Sequence, residues 1–193
     1  MQVVTVCLRR VRMQISKFDI ENADDKISVY EDVIGMKLPD QMSSFIRRYN
    51  GGDTPNTSFR CGGISSDVKG FYGLGKVKYS LDKIRPFEQG GNSYLPIALD
   101  SFGNDIVIAL QTGKVAFHDH ENQKITLLSD DLKGFISSCD SKPISSGAVK
   151  SVEQRERELI DKGRGHIITD ALRDMWRAEI DRYGIMDLER VSI

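Results

Sequence analysis

His118-Asp119-His120 is the tightest grouping of chemistry-bearing residues in the chain. On a strand, residues two apart project to the same face, so these two imidazoles could share a zinc or iron ion. A working site needs a third ligand. His166 lies far along the chain, which leaves Asp105 or Glu121 as carboxylates able to complete the set. The competing reading is a polar strand end whose histidines are hydrogen bonded, and that reading needs no ion. It is preferred, with a metal-dependent enzyme using His118 and His120 kept as an alternative.

Other catalytic chemistry finds less support. No Gly-x-Ser-x-Gly elbow is present. Cys7, Cys61 and Cys139 are odd in number and widely spaced, with no Cys-x-x-Cys pair, so neither a zinc knuckle nor a thioredoxin-type site is formed. Gly70-x-x-Gly73-x-Gly75 lacks the Lys-Ser/Thr ending of a phosphate loop and reads as turns. The carboxylate pairs Asp24-Asp25, Glu31-Asp32 and Asp130-Asp131 suit helix starts and solvent-facing sides, and none sits in an apolar run that would raise a pKa for acid–base work. The expectation is a binding protein, not an enzyme, with no cofactor and no metal.

Composition narrows the class of partner. The 27 Lys and Arg are matched by 28 Asp and Glu, for a formal net charge of −1. Nucleic-acid binders carry a basic excess, so no nucleic acid is expected. No apolar tract is long enough for a membrane span. Arg9, Arg10 and Arg12 follow the apolar Met1–Val6 stretch, the reverse of a secretory signal. Scattered thiols then fit a cytoplasmic protein. Translation could begin at Met1 or at Met13.

The elements around these residues follow from apolar spacing. Ile27, Tyr30, Val33 and Ile34 predict a helix ended by Gly35, and Met42, Phe45, Ile46 and Tyr49 a second one ended by Asn50-Gly51-Gly52. A glycine-punctuated block follows. Tyr94 to Asp100 reads as a strand. Ile106–Leu110, the loop Gln111-Thr112-Gly113 and Lys114–Phe117 read as a hairpin, and Lys124–Leu128 as a further strand. Ser129-Asp130-Asp131 caps a short helix through Leu132, Phe135 and Ile136. Ser151-Val152-Glu153-Gln154 is a capping box opening a charged helix, and Thr169-Asp170 opens another bearing Leu172, Met175, Trp176, Ile180 and Tyr183. The fold class is α+β, an antiparallel twisted sheet packed by helices with a C-terminal helical extension.

Several segments occur in a telling order: Glu31-Asp32-Val33-Ile34-Gly35-Met36-Lys37-Leu38-Pro39-Asp40, Arg48-Tyr49-Asn50-Gly51-Gly52, Phe71-Tyr72-Gly73-Leu74, Tyr94-Leu95-Pro96-Ile97-Ala98-Leu99-Asp100, Phe102-Gly103-Asn104-Asp105 and Gly113-Lys114-Val115-Ala116-Phe117-His118-Asp119-His120-Glu121. Over residues 18–138 this series resembles the SUKH superfamily, which includes bacterial immunity proteins and the fungal Smi/Knr cell-wall regulators. The resemblance implies tight, non-catalytic binding that neutralises a cognate protein toxin by occlusion, the alternative being a regulatory or scaffold module of the same fold. The family's motifs mark a fold and no active site. Acids in the strand block, Asp53, Asp67, Glu88, Asp100, Asp105, Asp119 and Glu121, are taken as exposed and as the candidate partner contacts.

The chain then divides into an N-terminal lead (1–17, disordered in this reading), the SUKH-like domain (18–138), a Ser/Lys/Pro/Gly linker (139–150) and the helical extension (151–193). The extension lies outside the resemblance. It either docks on the domain through Met175 and Trp176 or leaves that stripe free for a homodimer or for gripping the toxin.

Overall fold

Helical spacing and strand alternation build two units in the computed structural model of the protein, which describes residues 11–142, 150–184 and 186–193. The first unit is formed by Met1–Lys142 and Leu188–Ile193, the second by Pro143–Asp187.

In the first unit, helix α1 (Ala23–Ile34) ends where Gly35 turns left-handed, and α2 (Asp40–Tyr49) ends at left-handed Asn50. Met42, Phe45, Ile46 and Tyr49 of α2 are all fully buried, as their 3- and 4-residue spacing requires. Two details of α1 differ from the sequence reading. Val33 is 53% exposed, because six residues after Ile27 it lies about 120° round the helix. Glu31, one turn after Ile27, faces inward instead and is buried. Its carboxylate accepts the Leu38 backbone N–H at 2.9 Å and the Lys37 Nζ at 2.6 Å, which fixes the turn between the two helices.

The sheet is antiparallel throughout. Its strands are β1 (Val11–Arg12), β2 (Gln14–Lys17), β3 (Gly52–Cys61), β4 (Ile64–Phe71), β5 (Phe87–Gln89), β6 (Asn92–Leu99), β7 (Asp105–Ala109), β8 (Val115–His118), β9 (Ile125–Ser129), β10 (Cys139–Ser141) and β11 (Glu189–Arg190). The main order is β1-β10-β3-β4-β6-β7-β8-β9, with β2 joining β3 to β11 and β5 lying beside β6. Helix α3 (Leu132–Ser138) opens at Asp131, whose side chain accepts the Gly134 N–H. The expected hairpin is present, with Gly113 at φ 72° closing its loop through an N–H to the Ala109 carbonyl. The sheet curls until the β3–β4 turn reaches edge strand β9. There Gly62 touches the strand backbone, and a Cβ on it would run into the Leu127 carbonyl oxygen.

One face of the sheet carries the core. Phe45 lies 4.9 Å from Phe71 and 5.2 Å from Tyr49, and Phe59 lies 5.3 Å from Phe135 and 6.3 Å from Phe117, measured between ring centroids. Each such fully buried side chain stabilises the fold by about 1.5–3 kcal/mol.

The boundaries expected from composition move at three places. Residues 11–17 of the lead are not disordered but strands, and Met13 and Ile15 are fully buried. Val11, Met13 and Ile15 alternate with Arg12, Gln14 and Ser16 as a strand requires, but the pattern is short and adjoins a run of arginines. Residues 139–141 of the linker are strand β10, inserted between β1 and β3, with Cys139 and Ser141 buried on either side of Asp140. The Ser141 hydroxyl accepts the Gln14 N–H and hydrogen-bonds the Thr57 hydroxyl, so a polar side chain is satisfied inside the sheet. Residues 188–193, read as the end of the extension, return to the first unit: β11 pairs with β2, and Val191 is buried. The rest of the lead (1–10) and of the linker (143–149) lies outside the described residues.

The second unit holds α4 (Val152–Asp161), opened by the expected capping box at Ser151, and α5 (Asp170–Tyr183), capped by Thr169. Arg155–Glu179 at 2.7 Å and Arg173–Glu156 at 2.5 Å join the two helices. Among the described residues, no helix is long and apolar enough to cross a membrane.

Candidate functional site

Strand register places a second set of side chains on the sheet face opposite the core. Asp105 stands across from His118, Val107 from Ala116, Phe87 from Tyr94, Ala116 from Leu127 and His118 from Ile125. Val107, Ala109 and Ala116 are buried yet lie outside the continuous core. A depression of about 220 Å³ bounded by Tyr94, Ala116, Ile125 and Leu127 opens on this face, and Leu127 is 50% exposed.

A row of half-buried rings runs across the unit. Phe18 lies 6.1 Å from Tyr79, and Tyr79 lies 6.4 Å from Tyr72 in an edge-on arrangement. The Tyr72 hydroxyl is 3.5 Å from the Asp105 carboxylate. Beyond Asp105, the His118 imidazole lies 4.8 Å from Phe87, which lies 5.9 Å from Tyr94. Tyr72 follows β4, and the other members come from β5, β6, β7, β8 and the segments before β3 and after β4. Burial pushes the Tyr72 phenol up to about 12, with the Asp105 carboxylate adding to the rise. Burial likewise raises the Asp105 carboxyl above its ordinary range, opposed by the nearby His118.

The seven candidate acids divide by what already holds them. Asp100 is only 2% exposed, which corrects its reading as a surface contact. It accepts the backbone N–H groups of Phe102 and Asn104, the Asn104 amide and the Ser66 hydroxyl, so it organises the turn into β7. Asp67 accepts the Ser101 N–H and hydroxyl, tying β4 to the same turn. Asp119 accepts the Glu121 and Asn122 N–H groups, and chiefly through the former its carboxyl is held below the usual range. Glu121 is exposed in that turn. Asp53 accepts the Lys78 ammonium at 2.5 Å and the Tyr79 hydroxyl at 3.1 Å. Glu88 is exposed and accepts the Ser93 hydroxyl. Asp67, Asp100, Asp105, Asp119 and Glu121 thus gather at one end of β6–β8, and Asp53 joins the row from its far side through Tyr79.

The two histidines do not share a site. Strand β8 stops at His118, so the alternation never reaches His120. His118 Nε2 meets the Gln123 amide oxygen at 3.2 Å, whereas His120 Nδ1 meets the Asn104 oxygen at 2.9 Å. No group of three or more potential ligands that could hold a metal ion occurs among the described residues. The His118 Nδ1 is buried without a hydrogen-bond partner.

Sequence reasoning missed the ring row. Tyr72, Tyr79, Phe87 and Tyr94 lie in different segments, and only the register of four strands and the turn after β4 brings them together. The signal was an aromatic at the same parity in paired strands, readable at Phe87 and Tyr94 once their pairing is known.

Comparison with known proteins follows from this geometry. The family model described as SMI1 / KNR4 family (SUKH-1) matches residues 22–138. The SPbeta prophage-derived uncharacterized protein YokK of Bacillus subtilis (strain 168) is 24% identical over 165 residues, covering 72% of this chain and 85% of that protein. No solved structure matches the chain.

Proposed function

The chain belongs to the SMI1/KNR4 family (SUKH-1), and on that premise we propose that it is a non-catalytic binding protein that neutralises a cognate bacterial toxin by direct occlusion. The row of half-buried rings carries this reading, its Phe87–Tyr94 end lying on the sheet face away from the core. Tyrosine and phenylalanine offer large, rigid contact area for little lost side-chain freedom, and they are enriched at the centres of protein interfaces. Carboxylates at Asp53 and Asp105 interrupt the row, so recognition combines apolar contact with local negative charge. The near-zero net charge means that attraction is local, not long-ranged. A relative named as prophage-derived fits a gene that travels with elements under conflict.

Co-expression with the toxin encoded beside the gene tests the proposal. The wild-type chain is expected to restore growth, and the double variant F87A/Y94A to lose protection while retaining its far-UV circular dichroism. A wild type that gives no protection, or a folded double variant that protects fully, overturns it.

A further inference from the structure

We propose that the Asp105 carboxylate, beside the Tyr72 hydroxyl and His118, receives an arginine side chain of the partner protein. This inference rests on the reading of the ring row as the contact surface, and it names the chemistry at its centre.

Elimination among the acids leads to Asp105. Asp100 is saturated by four donors, Asp67 is held by Ser101, Asp119 by its own turn and Asp53 by Lys78 and Tyr79. Glu88 and Glu121 are exposed, so water solvates them fully and a partner gains little by replacing it. Asp105 is half-buried and is the least engaged of the half-buried candidate acids. Its one hydrogen bond comes from the Tyr72 hydroxyl at a long 3.5 Å, and among the described residues no lysine or arginine forms an ion pair with it. Burial raises its carboxyl pKa, opposed in part by the His118 and His120 imidazoles and the Tyr72 hydroxyl.

The surroundings select among cations. The Tyr72 hydroxyl reaches the Asp105 carboxylate, and Phe87 packs on His118, the residue paired with Asp105 across the strands, so aromatic side chains surround the carboxylate. A guanidinium is planar and weakly hydrated, stacks on aromatic rings and can bridge a carboxylate through two N–H groups at once. An ammonium would supply charge without the stacking or the second N–H.

Nuclear magnetic resonance titration of the full chain with Nα-acetyl-arginine N-methylamide tests this contact directly, with the citrulline and lysine analogues for comparison. The arginine compound is expected to shift Tyr72, Asp105 and His118 signals saturably. The lysine compound should bind several-fold more weakly, and the uncharged citrulline compound should leave the signals unmoved. Asp105→Asn should weaken arginine binding at least about fivefold with its spectrum otherwise dispersed as in the wild type. Asp32→Asn, an equal charge change on exposed α1, should leave it unchanged. Equal shifts from citrulline, or full arginine binding by D105N, overturn the proposal. If arginine fails to bind at Asp105 while F87A/Y94A still abolishes protection, the row remains the contact surface. If arginine binds and that double variant still protects, the surface reading falls instead.

Discussion

Tyr49 and Ser192 exchange two hydrogen bonds across the fold: the tyrosine hydroxyl accepts the Ser192 N–H at 2.8 Å and donates to its carbonyl at 3.2 Å. The ring is fully buried in α2, so this pair anchors the final segment of the chain to the core. Tyr49→Phe should cost about 1–2 kcal/mol in urea denaturation, because a backbone N–H loses its partner. Removing residues 188–193 also strips β11 and buried Val191, and should lower stability by more than the point variant. Equal losses would mean that the hydroxyl alone secures the segment.

Glu31 is the hinge pin between α1 and α2. Glu31→Ala leaves the Leu38 N–H unpaired in a buried site and should cost about 2 kcal/mol. Lys37→Ala removes only an ammonium whose side chain is 79% exposed, and should cost much less than Glu31→Ala. A comparison of the two denaturation midpoints checks the asymmetry.

Asn50 is fully buried and left-handed, and its side chain donates to the Asp19 and Leu74 carbonyls while accepting the Leu74 N–H. Asn50→Ala should cost about 3 kcal/mol, from several lost buried hydrogen bonds and an unfavourable φ. Gly73→Ala should be as damaging, since its Cβ would run into the Asn50 carbonyl oxygen. Thermal melts of the two variants should therefore fall together.

Asp131 caps α3 through the Gly134 N–H at 2.7 Å, and that bond, aided by the Gln41 amide, holds its carboxyl below the ordinary range. A lowered carboxyl stabilises the fold above the unfolded-state value near 3.8, and that contribution is lost as pH falls through the folded value. Asp131→Ala should cost about 1 kcal/mol at neutral pH, and its stability should decline less steeply than the wild type's in acid. Parallel acid titrations by circular dichroism would expose the difference.

Asp105 has the opposite sign. Its raised carboxyl favours the folded state in acid, and that support is withdrawn as pH rises through the folded value. Asp105→Asn should therefore raise the melting temperature at pH 7 by roughly 1–3 °C, with the gain vanishing near pH 4. Calorimetry at both values checks it.

The helices were legible because each signal is local. Met42, Phe45, Ile46 and Tyr49 declare their face by spacing, and Asp131, Ser151 and Thr169 declare helix starts by type. Strands β1, β2, β10 and β11 were not, since each is two to four residues long and draws its stability from partners remote in sequence. The α+β class was readable, whereas the proposed contact face was not. Proximity of Tyr79 to Tyr72 and of His118 to Phe87 depends on where the sheet curls, which no local window contains. Exposure misled at Asp100, where an acid in a turn between strands looks solvated but instead accepts four hydrogen bonds.

The return of residues 188–193 to β2 also sets a schedule. A ribosome delivers both helices of the second unit before it delivers the strand that completes the first. Every strand bearing the ring row emerges earlier, so a nascent chain presents its proposed contact face while Tyr49 still lacks Ser192. At ordinary synthesis rates that interval is on the order of a few seconds. Final closure of the sheet is thus timed by the length of the insert that precedes β11.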